Sequence, residues 1–122
     1  MFHSTDVPLR MDALLKRFRG KSALVEEILG EFEEEARRDL HSLAESLSDK
    51  DAEKTASVAH ALKGAAGLVS ADGLHAFVAE LEQRARLNGL DGAEECFARV
   101  KKEAEECLAY ISMARGQISE PK

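Results

Sequence analysis

The chain has no tryptophan, one tyrosine, two prolines and two cysteines in 122 residues. Valine and isoleucine are few, while Ala, Leu, Glu, Lys and Arg are many, which argues against sheet and for helix. No apolar run approaches the length of a membrane span, and "MFHSTDVPLR" has no signal-peptide h-region. Excess positive charge is also missing. The formal net charge is −6, which disfavours nonspecific nucleic-acid binding through a basic surface. Cys96 and Cys107 fall in one helical segment, too far apart along it to bridge. They read as free thiols used as small core residues in a reducing compartment. The expectation is a cytoplasmic protein with no membrane partner.

What is present is helical pattern. Length fits one domain, 1–122, with its packed part over about 8–115 and a tail, 116–122, that frays. A short first helix spans about 8–18, with Asp6 as cap and Pro8 in the first turn. Ser22 caps a long second helix to about Leu47, whose apolar stripe is Val25, Ile28, Leu29, Phe32, Ala36, Leu40, Leu43 and Leu47. Asp51 caps a third helix running to about Val69. The fourth starts at Ser70 and Asp72 and ends at "NG", 88–89. Asp91 and Glu94 resemble a capping box for the fifth, which Gly116 ends. Four amphipathic helices with short connections give an all-α, antiparallel up-down four-helix bundle, with the short N-terminal helix packed against one end.

One stretch does not follow the pattern. "AHALKGAAGLVS", 59–70, carries Gly64 and Gly67 inside a helix, each costing about 1 kcal/mol relative to alanine. At about 100° per residue, Thr55, Val58, Leu62, Ala66 and Val69 form the core face. His60 falls nearly opposite, with Ala56, Gly64 and Gly67, and Lys63 at the flank. Exposed helix faces are normally filled with long charged residues. This one is stripped around a histidine, which reads as access for a phosphoryl-sized group or a partner's backbone. Lys63, one turn on, can lend positive charge to an anion held there. An ordinary imidazole is largely neutral at pH 7 and so can act as a nucleophile. His3, His41 and His75 lack any such setting and read as solvated surface residues.

"AHALKGAAGLVSADGL" resembles the signature of histidine-containing phosphotransfer (HPt) domains, roughly A-H-x-L-K-G-x-A followed by small residues, a turn and a leucine. The likeness continues through "FVAELEQRAR" with its Leu81–Glu82 pair, and back through the long second helix and the acidic turn, covering about 8–112. Ser70 departs from it, since many members carry glycine there. The resemblance implies that His60 accepts the phosphoryl group, Lys63 assists electrostatically, and Ala56, Gly64 and Gly67 give clearance. It places Glu82 near the imidazole, where a carboxylate can accept the Nδ1 proton and leave Nε2 free. A solvated Glu82 pairing only with Arg86 is the other reading.

The implied function is a phosphorelay carrier, not an autonomous enzyme, which takes a phosphoryl group from a receiver-domain aspartate and passes it reversibly to another. Partners would be receiver domains of response regulators and hybrid histidine kinases. The carrier would bind no cofactor and no metal; the receiver would supply Mg²⁺. A single-histidine carrier has no need to dimerise, so a monomer is expected. Three alternatives compete. A chemotaxis-type kinase domain would have its histidine phosphorylated from ATP, but no kinase domain is present in this sequence. A helical adaptor would have lost the histidine. A di-iron bundle needs repeated Glu-x-x-His; the nearest match is one Asp72-x-x-His75.

Overall fold

The computed structural model describes residues 7–119. Five helices follow one another: α1 (Met11–Arg17), α2 (Ser22–Ser48), α3 (Ala52–Leu68), α4 (Asp72–Leu87) and α5 (Ala93–Ser119). No strand occurs among the described residues. α3 packs against α2 and α4, and α5 packs against the same two. The core therefore runs between four helices. Val25, Leu29, Leu43, Leu62, Leu74, Leu81, Val100 and Ile111 fill it, each shielded from solvent. Burial of a leucine-sized side chain contributes about 1.5–3 kcal/mol, which outweighs the modest intrinsic propensity of any one helix. Both cysteines are free and buried. Burial first, and then Glu103 and Glu106, push the Cys107 thiol up to about 12.

The first helix is shorter than its pattern implies. Pro8 and Leu9 are buried outside it, and Arg10 is extended. Their backbone groups are satisfied by other elements: the Cys107 thiol donates to the Pro8 carbonyl at 3.6 Å, and the Arg10 N–H donates to Ser70 O at 3.2 Å. Those bonds replace a first helical turn. Asp6, expected as its cap, lies outside the described residues. Arg17 reaches across to the last carbonyls of α3, Gly67 O and Leu68 O, at 3.3 and 3.2 Å. α5 also departs from expectation, passing through Gly116 to Ser119. A glycine weakens a helix without ending it unless the chain also turns there. The rest of the tail lies outside the described residues.

The α3–α4 turn shows the cost of Ser70 where the resembled pattern has glycine. The Ala71 N–H donates to Ala66 O at 2.9 Å and the Ser70 N–H to Gly67 O at 3.2 Å, the paired bonds of a Schellman cap. Its left-handed position is Ser70, at φ 61°. Glycine is the residue that adopts this conformation without steric cost. The Ser70 hydroxyl is moreover buried with no hydrogen-bond partner. Both effects act in one direction, so Ser70→Gly should stabilise the protein by about 1 kcal/mol. Thermal unfolding of the two proteins checks this. An unchanged or lower midpoint would mean that the serine is not strained.

Candidate functional site

α3 and α4 lie side by side along most of their length, and the site sits where they face solvent together. His60 projects from the middle of α3 with its side chain 65% exposed. Its Nδ1 lies 3.0 Å from Glu82 Oε2 on α4. An ionised carboxylate can only accept, so Nδ1 carries the proton of this bond. Nε2, the other ring nitrogen, has no hydrogen-bond partner among the described residues. The arrangement therefore presents a lone pair on Nε2 when the ring is neutral.

Glu82 is not a solvated charge. The residue is only 7% exposed, and it joins three partners. Lys63 Nζ stands 2.8 Å from Oε1, while Arg86 Nε donates to Oε2 at 3.0 Å. Burial pushes the Glu82 carboxyl up, but hydrogen bonds from Lys63, Arg86 and His60 outweigh it and hold the group at about 2. It stays anionic throughout the neutral range, with cations on either side. Lys63, expected at the flank of the His60 face, turns its ammonium toward Glu82. Its side chain is 29% exposed and is tied to Glu82.

The two glycines have different surroundings. A Cβ built on Gly64 would meet nothing within 4 Å. No neighbour and no left-handed backbone requires glycine there, and open space lies one turn beyond the histidine. At Gly67 a Cβ would touch His75 Cδ2 at 3.4 Å. Gly67 is half-buried beside the start of α4 and does not belong to the open face, as its angle on an isolated helix implied. Ala56 is corrected more strongly: it is 3% exposed and lies beside Ala85 and Arg86. The second neighbouring helix widens the buried arc of α3, so Ala56 and Ala59 join the core and the half-buried Val58 moves to its edge. Ala56 packs; it does not clear an approach.

An open recess adjoins the ring on its N-terminal side, lined by Asp51, Glu53, Lys54, Ser57, His60 and Arg86. Arg86 at this recess is the residue that sequence reasoning undervalued. Its spacing of four from Glu82 was legible, but only as a surface pair. His41 forms an exposed pair with Glu45, and His75 is exposed beside Gly67. His3 lies outside the described residues. Among the described residues, no group of three or more His, Cys, Asp or Glu is placed to hold a metal ion.

The family model described as "Hpt domain" matches residues 27–110, the span that holds His60, Lys63, Gly64, Glu82 and Arg86. This chain belongs to the Hpt domain family. It is a phosphocarrier of a phosphorelay, and the domains that Hpt proteins meet there are receiver domains. The fold is similar to the crystal structure of histidine-containing phosphotransfer protein B (HptB) from Pseudomonas aeruginosa PAO1. The two share 23% identity over 90% of this chain and 96% of that chain, with a TM-score of 0.84. A comparison with curated proteins gives no match. No helix among the described residues is long and apolar enough to cross a membrane.

Proposed function

We propose that His60 is the phosphoryl acceptor of this Hpt protein and that it reacts through Nε2. The observation carrying this reading is the pairing of an exposed imidazole with a buried carboxylate on Nδ1. Nε2 attacks the phosphorus of a receiver's aspartyl phosphate in line. An N–P bond forms as the bond from phosphorus to the aspartyl oxygen breaks, and the carboxylate leaves with that electron pair. The ring keeps its Nδ1 proton and takes on positive charge, which the adjacent Glu82 carboxylate stabilises. Transfer to a second receiver runs the same steps backwards. Phosphoryl transfer depends mainly on positioning and charge neutralisation.

The chain's own contribution is limited to that nucleophile and its setting. Lys63 and Arg86 keep Glu82 ionised and leave positive potential beside the incoming phosphoryl group. Gly64 leaves the approach open. Mg²⁺ and the remaining catalytic groups come with the receiver, so the carrier is not an autonomous enzyme. The helices act as a rigid antiparallel up-down four-helix bundle closed at one end by α1, in a cytoplasmic monomer.

Incubation with a ³²P-labelled receiver and Mg²⁺ should move label to this protein, in an acid-labile, base-stable form typical of a P–N bond. Absence of transfer from every receiver tried, with label from no small donor either, would overturn the reading. In the same assay Glu82→Gln should keep an acceptor for Nδ1–H but lose its charge. A charge-assisted hydrogen bond exceeds a neutral one by about 1 kcal/mol, so transfer should slow about five- to tenfold. An unchanged rate would show that the carboxylate only packs.

A further inference from the structure

The exposed side of α3 has unequal flanks. Toward α4 lie Lys63 and Arg86. Toward α2 lies a shallow groove, lined by Ile28, Phe32, Ala65 and Leu68 with Glu31 and Glu35 at its edge. On α3 it begins one residue past Gly64 and runs past Leu68, which is 46% exposed, to Val69. Contiguous exposed apolar surface rimmed by polar residues is the kind that marks an interaction site. The acids on its edge continue along α2 at a spacing of four, as Glu31, Glu35 and Asp39, and so share one side of the helix.

Among the described residues, none of these three carboxylates has an ion-pair partner, whereas Glu33 on the opposite side of α2 is matched by Arg115. Burial pushes the Asp39 carboxyl up, and its neighbour Glu35 pushes it further, to about 6, with Arg38 opposing in part. Glu35 and Asp39 thus stand close enough to interact directly, and Arg38 offsets their charge only in part. The face has an apolar centre, an acidic edge on α2 with no ion pair among the described residues, and on its other side Lys63 of α3 and Arg86 of α4, both gathered on Glu82. A partner seated across it is read for charge as well as shape.

We propose that Glu31 and Glu35, with the apolar groove beside them, select which receiver reaches His60: they fit a receiver that places an apolar anchor in the groove and a lysine or arginine one helical turn away. This inference rests on His60 being the acceptor. Charge complementarity at the edge of an interface acts mainly on the association rate and against wrong partners. Each exposed pair is worth about 0.2–1 kcal/mol, so two matched pairs should discriminate about five- to tenfold at low salt. The effect should shrink as the Debye length falls from about 10 Å at 0.1 M to about 3 Å at 1 M.

The test uses a panel of phosphorylated receivers whose surface around the phosphorylated aspartate ranges from acidic to basic. Transfer efficiency is measured for the wild type, Glu31→Lys/Glu35→Lys and Glu31→Gln/Glu35→Gln, with circular dichroism confirming that each is folded. The wild type should favour basic receivers about five- to tenfold at low salt and less at high salt. The neutral pair should weaken the preference and the lysine pair should abolish or invert it. An equal preference in all three proteins, or none in the wild type, would overturn the inference. Phosphoramidate, a small donor that needs no docking surface, checks the acceptor separately on the wild type. If it labels His60 while no receiver does, receiver selection at this face is wrong and the acceptor stands. If neither labels His60, the acceptor assignment fails and the inference with it.

Discussion

His60→Gln should abolish labelling by phosphorylated receivers while leaving the protein folded. The side chain is 65% exposed, so its removal opens no cavity. Glutamine is a better helix former than histidine. Glu82 loses one of three partners but keeps Lys63 and Arg86, so no buried carboxylate is left without a counter-charge. Structure and chemistry are therefore separable at this residue. Thermal midpoint and helix content should match the wild type, and acid-labile label should fall to background. His41→Gln and His75→Gln should transfer normally, because neither ring has a buried acceptor holding one nitrogen. Label that survives the loss of His60 would place the acceptor elsewhere.

Gly64→Gln should produce the second largest loss by a different route. A Cβ at this position meets nothing within 4 Å, so the larger residue is accommodated and the helix gains about 0.5 kcal/mol of propensity, less than the glycine-to-alanine difference. The melting temperature should rise by a few degrees. The side chain, however, would occupy the space over the turn next to the ring, where the receiver must bring phosphorus in line with Nε2. Misplacement by an ångström costs about a hundredfold in such reactions, so transfer should fall about a hundredfold or more. Gly64→Ala, with one methyl group, should gain somewhat more stability and lose far less activity. Unfolding of the glutamine variant would show that the glycine serves packing. Undiminished transfer would show that the receiver approaches from another side.

Much of this was legible in the sequence because it depends on local periodicity. The stripe from Val25 to Leu47 and the cap at Asp51 follow from spacing and side-chain chemistry, and the Asp51 carboxylate does accept from Lys54 N–H at 3.0 Å. The exposed His60 and the open space at Gly64 were equally visible, because an exposed glycine in a helix carries a cost without a local reason. What escaped depends on a second helix. Ala56 looks exposed on an isolated α3 and is buried once α4 lies beside it. Gly67 meets His75 for the same reason. Glu82 could be read as a solvated charge or a ring partner, and only the α3–α4 contact decides that it is buried and holds Nδ1. Arg86 follows Glu82 into the site. Ser70 looked like a departure from pattern, whereas its φ of 61° shows a left-handed cap closed by the wrong residue type.

Which ring nitrogen of His60 is free decides the chemistry, and that can be read directly. The protein is labelled with ¹⁵N at histidine, phosphorylated, and examined by ³¹P–¹⁵N correlation spectroscopy. With Glu82 Oε2 holding the Nδ1 proton 3.0 Å away, phosphorus should couple to Nε2 of His60, and Nδ1 should remain protonated. Phosphorus bonded to Nδ1 would contradict reaction through Nε2, because Nδ1 could react only if the Glu82 contact were absent when transfer occurs.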